Sequence, residues 1–343
     1  MPQIKYYNSI TLLKVCATFL ITWFHLKPYA PDFLQPIFIG GALGNSLFFF
    51  ASGFLIKIKD EHFTGEWILH KYIRIMPSVW IATLLTFFVN KSVLWYEWIY
   101  PTHFWFVNAI LCFFFVYWCF HQWINKNPIK TIFIVSAIHV IWYLINMDYS
   151  TLFLDAGGIK SWFYNFILFL SGHYTANYFN NVEKKIKLCA TSNKHLFFKL
   201  SGKYRIPTRL TAHWVIDLCI SIICITLFYG YKMICSKIPS LCFWQFLIMP
   251  IILFLFTIFS YKFMQKLASI KVPNFIKHIL SYISNMTLDI YVVQIAIIIL
   301  ISKWNLFFPL NIIVMLLCIA IAAYFCYIIS NKISKLITKK LIH

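Results

Sequence analysis

Four ionisable residues stand inside long apolar runs of this chain: Lys14 and His25 in the first run, Asp217 in the seventh and Asp289 in the ninth. Such groups are costly in hydrocarbon and mark sites of chemistry or transport there. Lys14 and His25 are eleven residues apart. At about 100° per residue that is three turns plus roughly 20°, so a helix projects both from one face, about 16 Å apart along its axis. A cation and an imidazole stacked this way suggest a polar path through a bundle. Alternatively, Lys14 snorkels and His25 hydrogen-bonds at the membrane interface. Polar company within the runs comes from Asn45, Ser46, Ser52, Asn108, Asn165, His173, Asn285, Thr287 and Gln294.

The elements that must position these residues are membrane-spanning helices. The 343 residues are 61% hydrophobic and only 12% charged, with mean hydropathy +0.75, where a soluble domain carries roughly 25% charged residues. The 36 Phe, 20 Tyr and 13 Trp fit the same class, because aromatic rings settle at headgroup level. Apolar windows at 8–27, 37–57, 75–93, 104–123, 131–147, 161–180, 213–230, 243–261, 286–302 and 308–330 are each long enough to cross a bilayer. They predict an all-α integral membrane protein, a polytopic bundle of about ten transmembrane helices. Residues 1–343 are expected to form one transmembrane domain with no appended soluble domain. The first run follows Lys5 as a signal peptide would, but it contains Lys14 and His25 and lacks a small-x-small cleavage site, so it is expected to stay as the first helix.

Charge sets the expected orientation. The formal charge is +20, from 30 Lys+Arg against 10 Asp+Glu. Of these basic residues, 23 fall in the N-terminus, the C-terminal tail and the connections near 57–74, 124–130, 181–212 and 262–285. Six fall on the other side: Lys27, Lys91, Lys160, Lys232, Lys237 and Lys303. Basic loops remain cytoplasmic, which predicts both termini inside a cell membrane crossed many times. The excess of positive charge is thereby explained by topology and anionic lipid, and no nucleic-acid partner is expected. The ten cysteines include no C-x-x-C pair and sit mostly in apolar runs, so they read as packing residues and not as zinc ligands or a disulfide framework. No H-E-x-x-H, G-x-S-x-G or P-loop occurs, and neither a metal nor nucleotide hydrolysis is indicated.

Lys14-x10-His25 resembles the Arg/Lys-x10-His signature in the first helix of the membrane-bound acyltransferase family 3, the polytopic enzymes that O-acetylate surface polysaccharides and related glycans. Four later segments resemble the same family in the same order. They are Phe48-Phe49-Phe50-Ala51-Ser52-Gly53-Phe54-Leu55, His70-Lys71-Tyr72-Ile73-Arg74-Ile75-Met76-Pro77, Phe104-Trp105-Phe106-Val107-Asn108-Ala109 and Ser284-Asn285-Met286-Thr287-Leu288-Asp289-Ile290-Tyr291-Val292-Val293-Gln294. Ser52-Gly53 suits close helix approach in any membrane bundle, and Met76-Pro77 suits the entry to the third helix. Three positions depart from the family: Lys14 where Arg is common, Lys71 for the first Arg of R-x-x-R, and Gln294 where His is frequent. The first two keep the charge without the guanidinium fork; the third removes a titratable group, so Gln294 is given no proton-transfer role.

The resemblance implies an acyl-CoA donor, usually acetyl-CoA, entering from the cytoplasm as a co-substrate, with no permanently bound cofactor. The acceptor is a hydroxyl of a glycan or lipid-linked saccharide. Lys71 and Arg74 are then the expected contacts for the CoA phosphates. His25 is the expected general base, since imidazole titrates near neutral pH. Lys14 lines the donor path or acts as a structural counter-charge to Asp289. Ser52, Asn108, Asp289 and Tyr291 are further candidates. Asp217 is expected at the interface, and His139 and His173 in structural hydrogen bonds. A secondary transporter or polysaccharide flippase without acyl chemistry fits the buried charges nearly as well; the ordered motifs favour the enzyme.

Overall fold

A segment crossing hydrocarbon must satisfy its own backbone hydrogen bonds, which a helix does within one stretch of chain. The computed structural model of the protein describes residues 2–58, 64–90, 95–101, 103–146, 152, 161–192, 214–270 and 272–341, and no strand occurs among them. The α-helices of these residues are α1 (Pro2–His25), α2 (Gly41–Ile58), α3 (Gly65–Asn90), α4 (Trp105–Lys126), α5 (Pro128–Asn146), α6 (Trp162–Ser192), α7 (Trp214–Lys237), α8 (Gln245–Leu267), α9 (Asn274–Asn285), α10 (Thr287–Ser302) and α11 (Leu310–Leu341). Each expected window coincides with one helix, and α9 is additional. Among the described residues, seven helical segments can cross a membrane by length and composition, and the pair α9–α10, bent by 67°, makes an eighth if it is one broken span. α1 and α6 are long enough but more polar. The chain is an all-α polytopic membrane protein.

Three expectations are corrected. The third helix begins at Gly65, ten residues before the apolar window at 75, so Lys71 and Arg74 lie within α3 and not in a loop before it, and Pro77 stands in its interior and not at its entry. A hydropathy window dilutes such a polar first turn. The connection expected at 181–212 is helical as far as Ser192, and residues 193–213 lie outside the described residues. The connection at 262–285 contains α9, whose Phe275, Ile276, Ile279 and Tyr282 are exposed on one side while Lys277 and His278 interrupt the apolar run. That amphipathic pattern is too short and too polar to register as a span.

Contacts between distant residues give the helix directions. Lys14 donates to the Ser284 carbonyl and Thr22 Oγ1 to Gln294 Oε1 at 2.9 Å, so α1 and α10 run parallel. Thr257 bonds Ser46 and Tyr261 packs on Phe50, which makes α2 and α8 parallel. Phe113 packs on Phe166 and His173 bonds Asn125, which does the same for α4 and α6. This is the up–down alternation that consecutive spans require.

The centre of the bundle is α2. Its apolar window, Gln35–Ile56, is 72% buried inside the protein, against 17% for Pro128–Asn146 of α5. Two glycines make the central packing possible. A Cβ at Gly53 would lie 1.8 Å from the Phe169 carbonyl oxygen, and one at Gly172 would lie 1.9 Å from that of Phe50. α2 and α6 therefore touch backbone to backbone, the contact that small residues permit in membranes. Around it pack Phe49, Phe106, Phe113, Phe166 and Phe169.

Two prolines inside helices pose a second packing problem. Pro77 has no N–H for the Ile73 carbonyl, and Pro250 none for Phe246. Each freed carbonyl is taken by a side chain from another helix. Ser334 Oγ of α11 donates to Ile73 at 3.0 Å, and the His139 imidazole of α5 donates through Nε2 to Phe246 at 3.2 Å. His139 thus makes a structural hydrogen bond through Nε2, as does His173, whose Nε2 bonds Asn125 at 2.8 Å and Asn177 at 3.0 Å. Asp217 is buried against the protein in the first turn of α7, near the end of that helix.

Two stability measurements check this packing. Gly53→Ala or Gly172→Ala should sharply reduce the yield of monodisperse, protease-resistant protein, because the new methyl meets backbone that cannot give way. Gly65→Ala and Gly230→Ala, where nothing lies within 4 Å of the added Cβ, should leave it unchanged. Ser334→Ala should cost about 1 kcal/mol in reversible unfolding. In a Pro77→Ala background, where the restored backbone N–H can again serve the Ile73 carbonyl, that cost should fall close to zero.

Candidate active site

Helical spacing builds the first wall of the site. Lys71, Arg74, Ile75 and Ser78 follow i, i+3, i+4, i+7 along α3 and so share one face. All four line a cavity of about 470 Å³. Ile10, Thr11 and Lys14 of α1, Phe48, Ser52, Leu55 and Ile56 of α2, and Phe106, Ile110 and Phe114 of α4 close its sides. The α9–α10 break supplies Ser284, Asn285, Thr287, Leu288 and Asp289, and α11 supplies Tyr327, Ser330 and Asn331. On α1, α2, α3 and α11 these residues lie between the end carrying the α1 N-terminus and about mid-depth, and on α4 they come from its first half. Phe106, Phe48, Ser78 and Lys14 are the deepest.

The charges lining this cavity are Lys14, Lys71 and Arg74 against Asp289, a net excess of positive charge suited to an anionic ligand. The Lys71 ammonium lies over the rings of Trp67 (5.0 Å) and Phe114 (5.8 Å), which holds it toward the cavity by cation–π attraction. Lys14 donates to the Ser284 carbonyl, at the C-terminal turn of α9, where a cation is favoured by the helix dipole. Thr287 Oγ1 shares that carbonyl at 3.1 Å. After the 67° bend the first turn of α10 borders the cavity with Thr287, Leu288 and Asp289.

Asp289 is held by the α3 and α11 hydroxyls: Ser78 Oγ donates at 2.8 Å and Ser330 Oγ at 3.3 Å. Among the described residues no ion pair joins it to Lys14, so a direct counter-charge role for Lys14 is not what the geometry shows.

Of the residues singled out from the sequence, the fold gathers Lys14, Ser52, Lys71, Arg74 and Asp289 around one cavity. The other three stand apart from it. Tyr291 is buried behind the inner wall, its ring 5.1 Å from that of Phe106. Asn108 is buried one turn into α4 and donates to the Pro101 carbonyl at 2.9 Å. His25 is the last residue of α1, half-buried, with its imidazole against Phe24 (centroids 5.6 Å) and no hydrogen bond among the described residues.

What joins the cavity to His25 is a row of polar side chains. Lys14, Thr18, Thr22 and His25 lie at i, i+4, i+8 and i+11 on α1, with Thr18 and Thr22 buried. Thr22 meets Gln294 of α10, itself fully buried. Ser78, Ser284, Ser330, Thr18 and Thr22 were not singled out from the sequence. The α1 threonines were visible there as the helical intermediates between Lys14 and His25; the serines carry no signal without knowledge of which helices meet.

No curated protein and no solved structure matches the chain. Residues 7–331 match the model of the acyltransferase domain of family 3, nearly the whole chain, and the protein belongs to that acyltransferase family.

Proposed function

We propose that this membrane acyltransferase is an O-acetyltransferase that carries an acetyl group from acetyl-CoA to a hydroxyl of a cell-surface polysaccharide or lipid-linked saccharide. The observation that carries this reading is the basic cavity ending at Lys14, on the same helix and the same face as His25. The basic end of the bundle is the cytoplasmic one by charge count, where acetyl-CoA is available. The CoA phosphates then meet Lys71, Arg74 and the α10 N-terminus. An extended pantetheine arm is of the same order as the ~16 Å rise from Lys14 to His25, so the thioester reaches the level of Thr22 and His25 along the polar row. Phe106 and Tyr291, which close the inner wall, must shift to admit it. A multi-pass enzyme in the cytoplasmic membrane could thus modify an acceptor presented at the opposite face.

The chemistry follows from these positions. His25 takes the proton of the acceptor hydroxyl as its oxygen forms a bond to the thioester carbonyl carbon. The carbonyl electron pair moves onto oxygen, then returns as the carbon–sulfur bond breaks. CoA leaves as thiolate, and the imidazolium returns the proton to it.

The broken pair α9–α10 beside a cavity is also the architecture of secondary transporters. An acetyl increment of about 42 Da on surface glycans, present only with the active protein, separates enzyme from transporter.

Two outcomes test the assignment of residues. His25→Ala and His25→Asn should both lower acetyl transfer by roughly 10²–10⁴-fold, with normal abundance of folded protein, while Lys14→Arg keeps appreciable activity. An active, well-folded His25→Asn enzyme would remove the general base. The double variant Lys71→Ala/Arg74→Ala should bind acetyl-CoA more weakly, with the loss shrinking at high salt, and Lys71→Arg should be tolerated. Unchanged donor affinity in the purified double variant would take these two residues out of the site.

A further inference from the structure

Gln294 is completely buried, and only one end of its amide is paired. Thr22 Oγ1 donates to Oε1 at 2.9 Å, whereas Nε2 has no hydrogen-bond partner among the described residues. With the Thr22 hydroxyl donating to Oε1, the two N–H groups of the amide have no acceptor among the described residues. A buried donor without an acceptor is costly, and a bound ligand is one way to satisfy it.

Its place along the bundle indicates what. Gln294 is seven residues beyond Thr287, two turns farther along the α10 face that borders the cavity. It is level with Thr22, which precedes His25 by three residues, about 4.5 Å of helix rise. The unpaired N–H groups therefore lie beyond the end of the cavity and just short of the imidazole. Taking the acyl-transfer role proposed above as its basis, this is the level at which the thioester carbonyl must sit to be attacked beside His25.

We infer that Gln294 binds the substrate's acyl carbonyl, donating from Nε2 to the thioester oxygen and to the oxyanion it becomes. As the acceptor oxygen bonds to carbon, the carbonyl pair collects on oxygen beside a donor already oriented by Thr22 and already stripped of water. A preorganised donor of this kind acts on the transition state more than on the bound donor. Gln294 thus serves the reaction without exchanging a proton, and an amide suffices. Thr22 is a positioning residue that acts through it.

The experiment compares wild type, His25→Asn, Gln294→Met, Gln294→Glu and Gln294→His in lipid nanodiscs. It reads acetyl transfer and the affinity for acetyl-CoA separately, together with the infrared band of ¹³C-carbonyl acetyl-CoA. Gln294→Met removes the donor at similar volume. Gln294→Glu, read at a pH where its carboxyl is ionised, keeps an acceptor for Thr22 but places an acceptor where the donor stood. Both should lower kcat by roughly 10²–10³-fold with acetyl-CoA affinity little changed, and Gln294→His, which again offers an N–H, should recover much of the rate. In the wild type the bound carbonyl band should shift to lower frequency, and in both donorless variants the shift should vanish. An unshifted band in the wild type overturns the inference without any variant having to fold. So does a Gln294→Met enzyme of normal kcat in a preparation where His25→Asn is dead, a result that leaves the acetyltransferase reading intact. A wild type that binds acetyl-CoA yet transfers no acetyl group sinks that reading, and the role of Gln294 with it.

Discussion

A peptide carbonyl buried in hydrocarbon has no water to turn to, and leaving it without a donor costs several kcal/mol. At several places among the described residues a helix cannot supply the donor and another helix does; three of them hold helices of the bundle together. Pro77 frees the Ile73 carbonyl, which Ser334 takes. Pro250 frees that of Phe246, which His139 takes. Where α9 ends, the Ser284 carbonyl is taken by Lys14 and Thr287. The first two tie α11 to α3 and α5 to α8. The third stands at the wall of the cavity, so Lys14, the cation that marked the chain as more than a structural bundle, also holds together the break that opens it.

That double duty explains how a cavity persists in the bundle. A continuous α9–α10 helix would present side chains, not helix ends, to Lys14 and Arg74. The break instead puts a carbonyl end and an amide end side by side. The carbonyl end holds one cation, and the amide end adds to the field of the others. Asp289, bound by Ser78 and Ser330, fastens the first turn of α10 to α3 and α11. The cavity walls are therefore crosslinked by hydrogen bonds on the side where the helix is broken.

The opposite walls depend on close packing instead. Gly53 and Gly172 let the α2 and α6 backbones touch. This draws the Phe49–Phe106–Phe113 layer together and sets Ser52, next in sequence to Gly53, on the cavity. The cavity and the imidazole thus lie at two levels of one helix face, linked by Thr18, Thr22 and Gln294. In the proposed reaction this separation brings thioester and acceptor in from different ends.

Much of this was legible in the residues. Each of the ten apolar windows overlaps a helix, although among the described residues seven segments, or eight with the broken pair, can cross a membrane by length and composition. The eleven-residue spacing put Lys14 and His25 on one face of α1. Both patterns depend only on neighbours along the chain. The same locality explains the errors. Lys71, Arg74 and Pro77 were read as a loop and a helix entry because a polar helical turn looks like a connection to a hydropathy window. The amphipathic α9 vanished into one for the same reason. Whether Asp289 faced Lys14 or two serines, why His139 is buried, and that Gln294 keeps an unpaired amide were decided only by which helices meet. A hydrogen bond across 272 residues, such as Thr22 to Gln294, leaves no periodicity in either segment, so tertiary packing alone could bring these polar groups into one row.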